Sequence, residues 1–478
     1  MLSSIIQRRR DPATLRLWLE DRKRSRAQRY HPLPLLNRKT DVLQIIGQWD
    51  QVERIYRGTI RWLAAAGQPH ELALARNQLG SLLYEKGQYR EALALFRSAV
   101  AFFRGTGDRL GVAQSFSNIA GIHHNQGHYA KARDYLVKAL AIARAARDRH
   151  KISQYTGNLG IIHFQMGEFG RAIACYKRTL RIAQQLGLDH LLLTATGNIA
   201  LIYHEQDDYR RALRYNQDYL RLSREQGNAQ TTSYAIGNLG SVYYDLDRYR
   251  DAPEAFTEHR RITLELGDKP GRILAADNLG GVYHALGDEE TALRFYAESL
   301  ALSQELGNHE DAARALTHLG NLHRDRGDWG AAQQHYRSAE RHLAQSDSPY
   351  YRCYTKYHQA VYYFRTRDWA RSRSANTQAR TIARQLDVPE IIIRTDILAA
   401  KLSALRDPKG GVKQLRSVLR QARQERYAGV ILFEIACLTR NAGDIDRARR
   451  LLGTLYQKSQ GLEYKKLLSE IDQFRLSK

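Results

Sequence analysis

The sequence predicts an all-α fold: a solenoid of about eleven helix-turn-helix units with capping helices at its ends. Three observations predict it. A tripeptide recurs at an unbroken spacing of 40 residues. After each copy come a turn residue, an aromatic and an alanine at fixed offsets. Between these marks the apolar residues fall at helical spacing, as in Ala92, Leu93, Leu95, Phe96 and Ala99.

The tripeptide runs Gln78-Leu79-Gly80, Asn118-Ile119-Ala120, Asn158-Leu159-Gly160 and Asn198-Ile199-Ala200. It continues as Asn238-Leu239-Gly240, Asn278-Leu279-Gly280 and His318-Leu319-Gly320. Seven residues later stands Gly87, Gly127, Gly167, Asp207, Asp247, Gly287 or Gly327. These positions ask for a positive φ, which glycine adopts freely and aspartate tolerates. Next come Tyr89, Tyr129, Phe169, Tyr209, Tyr249 and Trp329, with Glu289 as the exception. The alanine row is Ala92, Ala132, Ala172, Ala212, Ala252, Ala292 and Ala332. Small residues at both marks let the two helices of a unit approach closely, and the aromatic is expected to wedge between units. A second turn, as at Gly107-Asp108 or Gly267-Asp268, closes each unit after its longer second helix.

The frame extends outward. Gly47, Trp49, Val52 and Tyr56 fit it upstream, and Asp368, Trp369 and Ala375 fit it downstream with Ser372 in the alanine's place. Weaker units turn at Asp407-Pro408-Lys409-Gly410 and at Gly443-Asp444. The resulting division is residues 1–29, a basic arm with a capping helix; residues 30–390, the regular array; and residues 391–478, divergent repeats with a basic capping helix. Non-consensus charged ends are what an open stack needs to stay soluble. Pro253 falls inside a second helix and should bend or delay it.

Of the 478 residues 43% are hydrophobic and 26% charged, which suits a stack whose units bury their apolar faces only on each other. Cys175, Cys353 and Cys437 lie far apart, which is neither a disulfide framework nor a metal spacing. No apolar run nears the roughly 20 residues that span a bilayer, and the first residues lack an apolar signal core. The expectation is a cytoplasmic chain with no transmembrane segment. Its net charge of +24 is uneven: residues 1–46 carry +7, residues 47–350 carry +3 and residues 351–478 carry +14.

The pattern N-L-G, then six residues, G, one residue, an aromatic, two residues and A resembles the tetratricopeptide repeat over about 420 residues. The 40-residue unit is similar to the long-repeat subgroup of spindle-orientation G-protein adaptors, kinesin light chains and bacterial sensors. The resemblance implies a right-handed superhelix whose first helices (helices A) line a concave groove for a peptide or a partner helix. Carried over by position, the groove presents Asn118, Asn158, Asn198, Asn238 and Asn278, with His124, His204, Tyr244 and His284 about two turns on. Side-chain amides both donate to and accept from a peptide backbone, so such a ladder binds without strict sequence demands. The competing reading is that these asparagines bond within the repeats. A family variant that clamps a terminal carboxylate is matched only at Asn278, Arg314 and His318, with Gly237 and Ser241 at two of its other positions. What remains is a smaller anion sub-site of Arg314, His318 and Arg324.

No catalytic or metal constellation survives. His123 and His124 are adjacent on a helix and point apart; His318 and His323 miss the i,i+4 spacing of helical metal pairs. The chain therefore reads as a non-catalytic scaffold or adaptor without cofactors or metals, with a protein or peptide partner in the groove. The alternative is an RNA-binding or acidic-protein-binding repeat protein. It would use a basic surface of Arg22, Lys23, Arg24 and Arg26 with Arg447, Arg449 and Arg450, since phosphate contacts need only clustered positive charge.

Overall fold

The computed structural model describes residues 48–346, 348–422 and 424–476, which form 22 helices and no strand. A single helix, α1 (Trp49–Ala65), precedes ten A/B pairs. The A helices are α2 (Pro69–Glu85), α4 (Arg109–Asn125), α6 (Arg149–Gln165), α8 (Asp189–Glu205), α10 (Ala229–Asp245), α12 (Lys269–Leu286), α14 (His309–Arg326), α16 (Pro349–Arg365), α18 (Pro389–Ala404) and α20 (Glu425–Thr439). The B helices are α3 (Tyr89–Gly105), α5 (Tyr129–Ala145), α7 (Phe169–Leu186), α9 (Tyr209–Glu225), α11 (Ala252–Leu266), α13 (Glu289–Glu305), α15 (Trp329–Leu343), α17 (Trp369–Gln385), α19 (Pro408–Gln421) and α21 (Ala442–Ser459). The last helix, α22 (Leu462–Leu476), closes the chain. Among the described residues no helix is long and apolar enough to cross a membrane.

The helix ends follow from the turn chemistry. Asp108, Asp148 and Asp268 each cap an A helix by accepting a backbone N–H three residues on; Asp208, Asp288 and Asp328 do the same for B helices. Gly87, Gly127, Gly167, Gly287 and Gly327 carry the expected positive φ, as do Asp207 (58°) and Asp247 (56°). Helix α11 starts at Ala252, three residues after its unit's aromatic, because Pro253 fits only the first turn of a helix.

Packing rests on a pairing between small and large residues. A Cβ on Gly240 would lie 2.6 Å from the Phe256 ring, one on Gly280 2.5 Å from Tyr296, and one on Gly320 2.7 Å from Tyr336. Where the small residue is Ala120 or Ala200, the residue sixteen positions on is Leu136 or Asn216 rather than a ring, and all four are buried. The turn aromatics work chiefly inside their own unit. Four of the rings meet one five residues earlier: Tyr84 with Tyr89, His124 with Tyr129, His204 with Tyr209 and Tyr244 with Tyr249, at centroid separations of 5.2–5.9 Å; Trp329 instead meets Tyr362 of the next unit at 6.2 Å. Tyr89 also reaches the next unit, where Asn125 donates to its hydroxyl at 3.4 Å.

The chain divides into two compact units between Cys175 and Tyr176, within α7. In the first, each helix from α1 to α6 packs on the next over one continuous core. In the second, each helix from α8 to α22 packs on the next, and A helices also touch A helices. The row α10, α12, α14, α16, α18, α20, α22 is continuous, and α22 returns to pack on α12. The inner face of this unit is thus closed by its own last helix.

Candidate functional site

Inside that row of A helices lies a cavity of about 610 Å³, within the usual range for ligand sites. Each helix contributes about one turn of side chains to it. Helix α8 gives His204; α10 gives Ser241, Tyr244 and Asp245; α12 gives Leu274, Asp277, Asn278 and Gly281. Helix α14 gives Arg314 and His318, α16 gives Tyr350, Tyr351, Tyr354 and Tyr357, and α18 gives Glu390, Arg394 and Ile397. The closing helices add Arg426, Tyr427, Val430, Glu463 and Tyr464, while Tyr249 and Phe256 reach in from the turn and helix after α10.

Charges in the wall are paired with charges of opposite sign. Arg314 pairs with Asp277 at 3.0 Å and with Asp311 at 2.9 Å, and donates to the Tyr351 hydroxyl at 3.0 Å. Arg394 donates to Glu390 Oε1 at 2.8 Å. Arg426 is held less tightly: its guanidinium lies 3.5 Å from Asp245 and 3.9 Å from Glu390, and its Nε has no hydrogen-bond partner among the described residues. Burial raises the Glu390 carboxyl, but the Arg394 and Arg426 charges outweigh it and hold the group below the usual carboxylate range. His204 is buried, which disfavours its cation, yet its 2.9 Å bond to Asp245 raises it overall. His318 stacks on Tyr296 at 4.9 Å, and burial lowers it. Burial pushes the Tyr244 hydroxyl up to about 12. The site is therefore a tyrosine-rich chamber with internal ion pairs, suited to holding a ligand by its aromatic, amide and charged groups together.

The sequence-predicted residues distribute as follows. His204, Tyr244, Asn278, Arg314 and His318 line the cavity. Asn198 and Asn238 lie on α8 and α10 of the same unit, half-buried and exposed respectively. His284 is half-buried at the end of α12, 3.4 Å from Asp325. Asn118, Asn158 and His124 belong to the first unit. There Asn118 accepts from Gln114 at 3.1 Å, Asn158 donates to Ser117 at 3.4 Å, and His124 meets Asn125 at 3.0 Å.

The expected cations are not free. Arg324 lies outside the cavity lining and forks onto Asp325 at 2.9 and 3.0 Å. Arg314 is neutralised by two carboxylates, and burial disfavours the His318 cation. The sequence reading counted these bases and left out Asp277, Asp311 and Asp325. It also missed Glu390, Arg394 and Tyr354, which lie at the end of the regular repeats or outside the tripeptide columns. Arg447, Arg449 and Arg450 are exposed on α21, with Arg449 2.6 Å from Asp472. Arg22, Lys23, Arg24 and Arg26 lie outside the described residues.

Among the described residues no group of three or more His, Cys, Asp or Glu could hold a metal ion. Burial pushes the Cys353 thiol up to about 11 and Cys437 up to about 12, far from a reactive thiolate.

The sequence profile of the tetratricopeptide repeat matches residues 71–145, 151–225, 229–305 and 271–345. No curated protein matches the chain by sequence. Among solved structures, the apo form of the quorum sensor NprR from B. thuringiensis aligns with a TM-score of 0.54 at 14% identity, over 74% of this chain and 99% of that one. A Rap protein complexed with competence and sporulation factor aligns at 0.50 and 14%, over 74% and 98%. A signal transduction ATPase with a tetratricopeptide repeat sensor from Pyrococcus horikoshii aligns at 0.51 and 15%, over 71% and 54%. At these identities the likeness concerns the fold.

Proposed function

Because the chain belongs to the tetratricopeptide repeat family, we propose that it is a non-catalytic interaction scaffold that binds a peptide segment or partner helix on its A-helix face. The observation that carries this reading is the cavity of the second unit, where tyrosines, paired charges and Asn278 converge on space that no core side chain fills. An ordinary repeat core would pack these positions with aliphatic residues. Polar side chains with amide and hydroxyl ends are instead the equipment for reading a peptide backbone. The Rap protein among the solved neighbours was captured with competence and sporulation factor, which fits a scaffold that holds a bound factor.

A selection of random peptides on the full chain tests the proposal. Peptides should enrich on the wild type and bind the combined Asn198→Ala, Asn238→Ala, Asn278→Ala variant about tenfold or more weakly, since each backbone hydrogen bond contributes about 0.5–1.5 kcal/mol. Equal binding by the folded variant would remove the A-helix face as the site.

A further inference from the structure

Two of the seven turns that follow the tripeptide depart from glycine, at Asp207 and Asp247, and both aspartates hold a positive φ that favours glycine. Space alone does not decide the residue, because a Cβ on Gly87, Gly127, Gly167 or Gly327 would meet nothing within 4 Å among the described residues. What distinguishes these two turns is their partner. Gln424 Nε2, just before α20, donates to Asp207 Oδ1 at 2.7 Å. Tyr464 of α22 donates its hydroxyl to Asp247 Oδ1 at 3.1 Å. Each carboxylate is also gripped from its own turn, by the Tyr209 and Tyr249 hydroxyls, both at 2.7 Å. The next turn in the row keeps its glycine for the complementary reason: a Cβ on Gly287 would lie 3.0 Å from Leu462 of α22. Three consecutive turns, 40 residues apart, are thus fitted to the two C-terminal helices rather than to their own repeats.

Those helices close the cavity, supplying Arg426, Tyr427 and Tyr464 to its wall. Toward α8, α10 and α12 their hold is narrow: the hydrogen bonds to Asp207 and Asp247, the long Arg426–Asp245 pair at 3.5 Å, and the contacts of Leu462 with Gly287 and of Gly461 with Tyr249. On its other side α20 is anchored, with Ile431 and Ile435 buried in an apolar core shared with α18 and α19. We propose that α20 and α22 form a reversible clasp over the cavity, that Asp207 and Asp247 are the hooks on which it closes, and that a ligand enters when it lifts. The ligand-gating role rests on reading the cavity as a binding site; the clasp itself is tested with no ligand at all.

Hydrogen exchange of the full chain, followed by mass spectrometry over a series of low urea concentrations, makes the test. In the wild type, amides of residues 425–439 and 462–473 should exchange through an opening that needs less urea than the one releasing residues 269–286 and 309–326. Glycine at both positions, in the Asp207→Gly, Asp247→Gly variant, suits the turns and removes the hooks together with the bonds from Tyr209 and Tyr249. It should speed exchange in the C-terminal helices by about tenfold or more and leave the repeats unchanged. Tyr464→Phe alters no turn, so it covers the case in which the double variant folds poorly; it should give a smaller acceleration in the same residues. The clasp is overturned if the C-terminal amides exchange only with the repeats. It is equally overturned if hook removal leaves them unchanged, or if exchange rises alike throughout the unit.

Discussion

Arg314 Nε lies 3.0 Å from Asp277 Oδ2, and the two side chains keep only 15% and 7% of their surface exposed. This pair joins α12 to α14 at the wall of the cavity. Removing one partner of a buried pair strands the other charge, which costs about 3–5 kcal/mol, whereas removing both can be nearly neutral. Arg314→Ala should therefore destabilise the second unit by about 3 kcal/mol, and Arg314→Met with Asp277→Leu should recover most of that. Urea midpoints of the three proteins decide it. A single-variant loss under about 1 kcal/mol would mean that water reaches and screens the pair.

The contact between Gly280 and Tyr296 predicts a matched pair of substitutions. A Cβ on Gly280 would stand 2.5 Å from Cδ1 of a ring that is fully buried, so the ring or the helix must shift. Gly280→Ala should cost about 1–3 kcal/mol, as overpacked cores do. Adding Tyr296→Leu, which copies the natural Ala120 and Leu136 combination, should return more than half. Thermal unfolding of both variants checks it, and no recovery in the double variant would show that the two positions are not coupled.

These two cases mark what the sequence made legible. The 40-residue period exposed every column at which a residue meets its own or the adjacent unit, so turns, helices and the Gly280 column could be placed from residue types alone. The cavity could not. Tyr464 reaches Asp247 across 217 positions, and no periodicity relates the two. Arg394 and Arg426 sit where the repeat pattern has dissolved and Glu390 at its edge, and Asp277 reads as one more polar helix residue until its distance to Arg314 is known. One signal was available: aspartate in place of glycine at positions 207 and 247, a local conflict at two residues that also meet partners more than 200 positions away.

Acid should weaken the second unit. Burial lowers His259, His318 and His358 in the folded state, and among the described residues both ring nitrogens of His259 and of His358 have no hydrogen-bond partner. For a lowered histidine the unfolded chain binds the proton first, so the stability present above about pH 6.5 is lost as pH falls. The slope is at most about 1.4 kcal/mol per histidine for each pH unit, until the folded value is reached. His204 has the opposite sign. Its raised folded value gives stability that is fully present below about pH 6.5 and disappears as pH rises through that value. The urea midpoint should drop between about pH 7.5 and pH 5.5, and His358→Leu should shrink the drop. His204→Gln should cost more at about pH 6 than at pH 9. A wild-type midpoint that is flat over this range would contradict the assignment.

The basic patch on α21 should matter for association and not for folding. Arg447, Arg449 and Arg450 are exposed, and the Arg449–Asp472 pair leaves 46% and 45% of its side chains in water, where such pairs contribute about 1 kcal/mol or less. Replacing all three arginines with alanine should shift stability by no more than about 1 kcal/mol. Attraction to a polyanion is a different matter, because residues 351–478 carry +14 and their exposed charges act over a Debye length of about 8 Å at physiological salt. With a single-stranded RNA homopolymer as probe, log affinity should fall linearly with log salt, by about 0.7 for each phosphate neutralised. The triple variant should flatten that slope by about 1.4, two arginines at about 0.7 each, the third being shared with Asp472. Peptide binding at the A-helix face should keep its affinity at every salt concentration, since the ion pairs of the cavity wall are internal. Identical slopes for wild type and variant would assign these arginines to solubility alone, and a slope that flattened together with peptide affinity would place both ligands on one surface.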